Sequence, residues 1–291
     1  MAYGEENMDV NVTAGEQFLE QKNYAAAYEK FLQAYVSKKS MRTNHLLFTA
    51  AFAGKQYADA YAIAADYLAE YIADDALFSK YLKAGVMAGK NINVVQLLIL
   101  LTPYMTSAEK EACQQVVATT LTRYQQEHPE IKKKWQYLGA YSVFEQRDLF
   151  AMAHALPTTD FIAYSRQWLV DSNVHPILRA SIVDDLRQLG VTEEVALINL
   201  NQEQVTVIPA QLPAVEQTEI GEKVLASLQT TANEALVGEV RLRLQIMYPF
   251  VFKTLTSEQI QMIAMAPLNT TVPSENKLLQ RLEAALQEWV V

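Results

Sequence analysis

The sequence predicts a mainly α-helical protein: an array of helical hairpins, then a small β-hairpin insert and a C-terminal helical part. Three observations carry this. A turn phrase recurs as Lys22-Asn23-Tyr24 with Ala27, Lys55-Gln56-Tyr57 with Ala60, and Lys90-Asn91-Ile92 with Val95, at steps of 33 and 35 residues. A period of this size, each unit a helix, a tight turn and a second helix, marks helical repeat arrays. The 291 residues are 51% hydrophobic with only nine glycines and nine prolines, a composition that suits a folded helical chain. After Gly190 the helical period gives way to two β-branched runs, which is a strand signal.

The repeat region covers roughly residues 8 to 105. In its first unit, Gly15, Phe18 and Leu19 line one side of the first helix, and Ala27, Phe31 and Ala34 share a face of the second because they are spaced by 4 and 3. Gln21-Lys22-Asn23 links them, with Asn suited to the turn. The second unit has a first helix from Asn44 to Phe52, the turn Gly54-Lys55-Gln56-Tyr57, and a second helix carrying Ala60, Ala64 and Tyr67. In the third, Tyr81, Ala84, Gly85 and Ala88 form the first helix and Gly89-Lys90-Asn91 the turn. Val94 to Leu101 then make a second helix, closed by Pro103. Phe18, Tyr24, Phe31 and Tyr57 read as core residues.

Beyond the repeats, Ser107 starts a long helix through Tyr124, and Trp135, Leu138, Tyr141 and Val143 suggest another. Pro157-Thr158-Thr159-Asp160 reads as a break and a cap before a helix from Phe161 to Val170, and Pro176 opens a helix that stops at Gly190. Residues 194–200 and 204–209 flank the polar Asn201-Gln202-Glu203 as a hairpin, which needs cover from the helices or from a second copy of the chain. An exposed connection through Glu219 follows. Helices are then expected over about 221–232 and 233–248, with two more opened by Thr256 and Ser274. The expected organisation is 1–105 repeats, 106–190 continuing helical solenoid, and 191–291 hairpin with C-terminal helices.

The order Gly15, Phe18, Ala27, Phe31, Ala34 resembles the tetratricopeptide repeat (TPR) family, with one well-formed and two degenerate copies over about a third of the chain. Val174-His175-Pro176, Leu212-Pro213 and Tyr248-Pro249-Phe250 are similar to phrases of bacterial TPR-containing proteins of about this length, a likeness that brings no activity with it. The TPR resemblance implies a right-handed superhelix whose first helices line a concave groove for an extended peptide or a partner helix. Aligned on the first unit, the groove positions are Asp9, Val12, Glu16 and Leu19, then Arg42, His45, Thr49 and Phe52, then Leu77, Lys80, Ala84 and Met87. Some members hold a peptide carboxylate with a Lys, Asn and Arg set. Here only Arg42, Asn44, Lys80 and Lys83 approach it, and the departure argues against carboxylate clamping.

Charge and chemistry narrow the function classes. The net charge is −9, and residues 191–291 hold six Lys/Arg against twelve Asp/Glu, a surface that repels phosphate backbones, so no nucleic-acid partner is expected. The run Lys132-Lys133-Lys134 reads as a solvated helix start or loop. Cys113 stands alone and reads as a structural thiol, the start lacks the pattern of a secretion signal, and the expected compartment is the cytoplasm. The apolar run Val94 to Leu101 is interrupted by Gln96 and falls short of the ~20 residues of a membrane span, so no membrane contact is expected. His45, His128, His154 and His175 are dispersed, so no metal is expected. Asp184-Asp185 diverge by ~100° on a helix and read as solvated surface. No phosphate loop or nucleophile elbow is present, and no cofactor is expected. The expected function is a non-enzymatic protein–protein interaction scaffold that binds a peptide or partner helix. The alternative is an assembly protein that dimerises through the hairpin region. The final helix, with Leu278, Leu279, Leu282 and Ala285, is amphipathic enough to dock somewhere apolar, the chain's own groove included.

Overall fold

The computed structural model describes residues 2–228, 234–249, 251–266 and 277–290. The described residues are 75% helical and contain one two-stranded antiparallel sheet. They form two compact units, 1–129 and 130–291, so the expected divisions after residues 105 and 190 fall inside units. Among the described residues, no helix is long and apolar enough to cross a membrane.

The first unit consists of α1 (Ala2–Glu20), α2 (Tyr24–Ser37), α3 (Met41–Ala53), α4 (Tyr57–Ala65), α5 (Leu68–Ile72), α6 (Asp75–Met87), α7 (Asn91–Leu101) and α8 (Ser107–Glu127). Helix α2 packs between α1 and α3, α4 between α3 and α6, and α6 against α7 and α8. Three turns share one device. Lys22, Lys55 and Gly89 sit at φ 58°, 59° and 74°. The next N–H in each case reaches back five residues, from Asn23 to Phe18 O, Gln56 to Ala51 O and Lys90 to Gly85 O, all at 2.9 Å. This closes the helix ends by satisfying their last carbonyls.

The third turn corrects the register of the phrase. Gly89, not Lys90, is the counterpart of Lys22 and Lys55, so the turns stand 33 and 34 positions apart. Val94, which is buried, therefore takes the place of Ala27 and Ala60, and Val95 does not. Small residues meet large ones across the hairpins. A Cβ on Gly85 would fall 2.6 Å from Cγ2 of Val94 and 2.7 Å from Cε2 of Tyr61. Ala27, Phe31 and Ala34 are fully buried, whereas Phe18, Tyr24 and Tyr57 are half-buried. Asn44 ties three helices together: its Nδ2 donates to Ile63 O at 2.7 Å, and Tyr71 Oη donates to its Oδ1 at 3.0 Å.

The second unit contains α9 (Glu130–Trp135), α10 (Val143–Ala153), α11 (Thr158–Trp168), α12 (Pro176–Gln188), strands β1 (Val195–Ile198) and β2 (Gln204–Val207), then α13 (Glu219–Leu228), α14 (Glu234–Met247), α15 (Ser257–Ala264) and α16 (Lys277–Val290). The single helix expected through Trp135 and Val143 is interrupted. Ser142 caps a fresh helix there, its hydroxyl accepting from Glu145 N while the Glu145 carboxylate accepts from Ser142 N at 3.0 Å. Helix α11 begins at Thr158, with Pro157 at the cap position and no side-chain cap, so Asp160 lies in its first turn. Helix α12 opens on Pro176 as expected and closes at Gly190 (φ 68°) with the same five-residue bond, Val191 N to Leu186 O.

The hairpin pairs Val195 with Val207 and Ile198 with Gln204, and Asn199 Oδ1 accepts from Glu203 N across its turn. Its cover comes from the same unit. Val195, Leu197 and Val207 are buried, and Ile198 N donates to Leu169 O at 2.8 Å. The buried Arg179 anchors the hairpin by donating to Ile198 O, Asp171 O and Val174 O. Helix α16 places Leu279, Leu282 and Ala285 in the core of this unit, and Arg243 of α14, held by Glu239 on its own helix, ties α14 to α16 through Glu283. The amphipathic side of the last helix is therefore used within its own unit. Tyr248 Oη donates to Pro213 O at 3.1 Å. Phe250, Ser274 and residues 229–232 lie outside the described residues.

Candidate functional site

The groove positions read from the repeat register differ in exposure. Glu16, Arg42 and Lys80 are exposed, and His45, Thr49, Phe52 and Met87 are half-buried. Val12 is only 2% exposed and Ala84 fully buried, so both serve packing. Phe52 belongs to the second hairpin, its ring 5.7 Å from Phe48 and 5.6 Å from Tyr57. Thr49 Oγ1 donates to His45 O at 2.7 Å. His45 and Lys80 are close enough to interact: burial first, then the Lys80 ammonium, hold His45 below its usual range. Asn44 spends its amide inside the unit, which removes it from any carboxylate-holding set.

An open groove lies farther along the same unit, between α6 and α8, with a volume of about 470 Å³. Phe78 and Leu82 of α6 form its floor with Met105 and Val116, while Ala108 and Ala112 keep the α8 side low. Helical spacing explains the wall: Asp75, Phe78, Ser79 and Leu82 are related by three, four and seven positions and share a face of α6. The 3-10 turn of Thr102–Tyr104, which ends α7, sets Tyr104 at the rim with 85% of its surface exposed. Leu100, just before it, is 69% exposed. Helix α8 starts in a capping box: Thr106 N donates to the Glu109 carboxylate at 2.6 Å, and Glu109 N donates to Thr106 Oγ1. That geometry orients Glu109 at the mouth of the groove, across from Asp75.

Cys113 also lines the groove, half-buried. Burial first, then the carboxylates of Asp75 and Glu109, push its thiol up from the usual range. Such a thiol is a poor nucleophile, which agrees with reading it as structural. None of Val12, Glu16, Arg42, His45, Thr49, Phe52, Lys80 or Met87 lines this groove. The repeat alignment selects Leu77, Lys80, Ala84 and Met87 on α6, a different face from the one that turns to α8. The sequence signal for Asp75, Leu82 and Tyr104 is faint: an aromatic directly after the helix-ending Pro103.

The second unit holds a polar cleft of about 380 Å³ beside α10, α12 and α14. Asp185 is not a solvated helix residue: it is 8% exposed, and its carboxylate lies 2.9 Å from His154 Nε2. Asp184 does turn outward, to Arg187 at 2.7 Å and Gln188. His154 Nδ1 lies 3.0 Å from Phe150 O, so both ring nitrogens face an oxygen of the protein. The pair locks α10 to α12. His175 is buried and caps α12, its Nδ1 accepting from Ile177 N while its ring stacks on Trp289 at 5.3 Å. Burial above all, with the charge of nearby Arg179 adding to it, lowers the pKa of His175 to about 4. His128, exposed, lies beside Tyr124 with ring centroids 4.4 Å apart. Among the described residues, no three metal-ligating side chains converge.

No family model matches the chain, and no curated protein and no solved structure matches it.

Proposed function

We propose that this chain is a non-enzymatic protein–protein interaction scaffold, a degenerate TPR-like helical array that takes a peptide or a partner helix in the groove of its first unit and works in the cytoplasm. The observation that carries the reading is the α6–α8 groove: about 470 Å³ of open, mainly apolar space with Tyr104 exposed at its rim. Solvent-facing apolar surface of this kind costs free energy in the isolated chain and is recovered when a partner covers it. The turns at Lys22, Lys55 and Gly89, 33 and 34 positions apart, support the TPR-like array. The alternative, dimerisation through the hairpin, loses its support because Val195, Leu197 and Val207 are already covered by their own unit.

The test is site-specific photo-crosslinking. A photoreactive residue at Tyr104 is expected to capture a defined protein partner in cell lysate, and one at Val36, 73% exposed on α2, is not. Equal capture from both positions, or none from Tyr104, contradicts the assignment.

A further inference from the structure

We propose that the α6–α8 groove receives an amphipathic helix that carries Lys or Arg beside its apolar stripe, rather than an extended or acidic peptide. The inference rests on the peptide-binding reading above and names the chemistry of the occupant. Two features of the groove lead to it.

The first is the scarcity of backbone partners. Phe78, Ser79 and Leu82 on α6 and Ala112, Cys113 and Val116 on α8 line the groove from within helices, where N–H and C=O groups pair along the helix, so free backbone partners are confined to the helix ends near Asp75, Leu101 and Ala108 and to Tyr104 and Met105. An extended peptide laid along the helical walls would bury most of its main-chain N–H and C=O groups with few groups to receive them, at a cost of about 1–3 kcal/mol for each one left unpaired. A helix satisfies its own backbone and presents apolar anchors at i, i+3, i+4 and i+7. That spacing is matched by Asp75, Phe78, Ser79 and Leu82 on the α6 wall. Ala108 and Ala112 keep the α8 wall low enough for large partner side chains to enter.

The second is the sign of the rim. Asp75 and Glu109 are the only charged residues among the described residues that line the groove, and both are acidic. Both raise the thiol of Cys113 through their charge, so the two fields meet at one point inside the groove. A carboxylate on the incoming helix would meet repulsion there with no cation to offset it. A Lys or Arg finds two partners, and the net charge of −9 adds long-range attraction to a basic segment.

The experiment uses the full chain and three synthetic amphipathic peptides of roughly 18 residues, long enough to hold a helix. They share one Leu stripe and carry Lys, Gln or Glu beside it. Fluorescence anisotropy is expected to rank affinity Lys above Gln above Glu. The Lys-to-Glu ratio should be about tenfold at ~0.05 M salt and shrink toward one at ~0.5 M. Asp75→Asn combined with Glu109→Gln should weaken the Lys peptide about fivefold and leave the Gln peptide unchanged. Gln at 109 keeps the capping box, so α8 should still form. The salt dependence of the unaltered chain tests the charge assignment without any variant. Equal binding of Lys and Glu peptides, or a loss shared by all three, overturns the proposal. Binding of none also overturns it, and the Tyr104 crosslink then shows separately whether the groove binds a partner of another kind.

Discussion

A Cβ placed on Gly15 would lie 2.6 Å from Cδ1 and 2.9 Å from Cζ of Phe31, closer than real Cβ contacts come. The first hairpin is therefore built on an absent side chain: α1 approaches α2 so closely that the Phe31 ring occupies the space where position 15 would carry its own. Phe31 is fully buried and cannot swing aside.

Gly15→Ala should accordingly lower stability by about 1–2 kcal/mol, because overpacking outweighs the ~1 kcal/mol that alanine gains in a helix. Gly238→Ala on α14 is the control. Nothing lies within 4 Å of the place a Cβ would take there, so the same change should stabilise by roughly 0.5–1 kcal/mol. Urea midpoints of the two variants decide the matter, and a stabilised Gly15→Ala would contradict the packing.

Lys22 and Lys55 hold positive φ, a conformation that glycine adopts without strain. Lys55→Gly should raise stability by up to about 1 kcal/mol, and Gly89→Ala should lower it by a similar amount. The pair of opposite signs, read by thermal melting, tests whether the three turns are one device.

The neutral, buried His175 makes the second unit acid-sensitive. Its pKa falls to about 4 in the folded chain, so between there and the ordinary ~6.5 the unfolded chain binds more protons. Stability should thus be fully present above about pH 6.5 and decline by roughly 2 kcal/mol as pH drops toward 4. His175→Asn, which keeps a capping side chain, should flatten that slope even though the loss of stacking on Trp289 lowers stability overall. An unchanged slope in the variant would assign the acid sensitivity elsewhere.

Arg179→Met should cost about 3–5 kcal/mol, since the carbonyls of Asp171, Val174 and Ile198 lose their donor in a buried place. Hydrogen exchange over residues 195–207 should accelerate with it. Arg179→Lys should rescue little, because an ammonium lacks the planar fork that serves carbonyls from several directions.

Local chemistry is legible in the sequence and long-range pairing is not. The turns at Lys22 and Lys55, the stop at Gly190 and the hairpin over 195–207 depend on residues within one or two turns of each other, and each stands where its pattern places it. At the third turn the repeated lysine is a false marker: positive φ falls one position earlier, on Gly89, whose missing Cβ makes it the natural residue for that conformation. Asp185 looks like solvated surface in the sequence because its partner His154 lies 31 positions away. The groove is hidden for a related reason. It arises where α6 meets α8, and α8 carries no copy of the repeat to align. Val12 and Phe52 fit the first-helix pattern, but packing within the hairpins claims them.

A partner seated in the α6–α8 groove covers Cys113, the chain's one cysteine, which reports on it directly. The measurement is the rate of maleimide labelling of Cys113 with and without saturating Lys-flanked peptide. As a control, the same reagent is applied to a Cys113→Ala chain carrying Tyr137→Cys, a position 59% exposed in the second unit. Bound peptide should slow labelling of Cys113 at least about tenfold, as expected when a bound ligand excludes reagent from a covered site, and leave position 137 unaffected. Bound peptide with Cys113 labelled at its original rate would place the partner outside the α6–α8 groove.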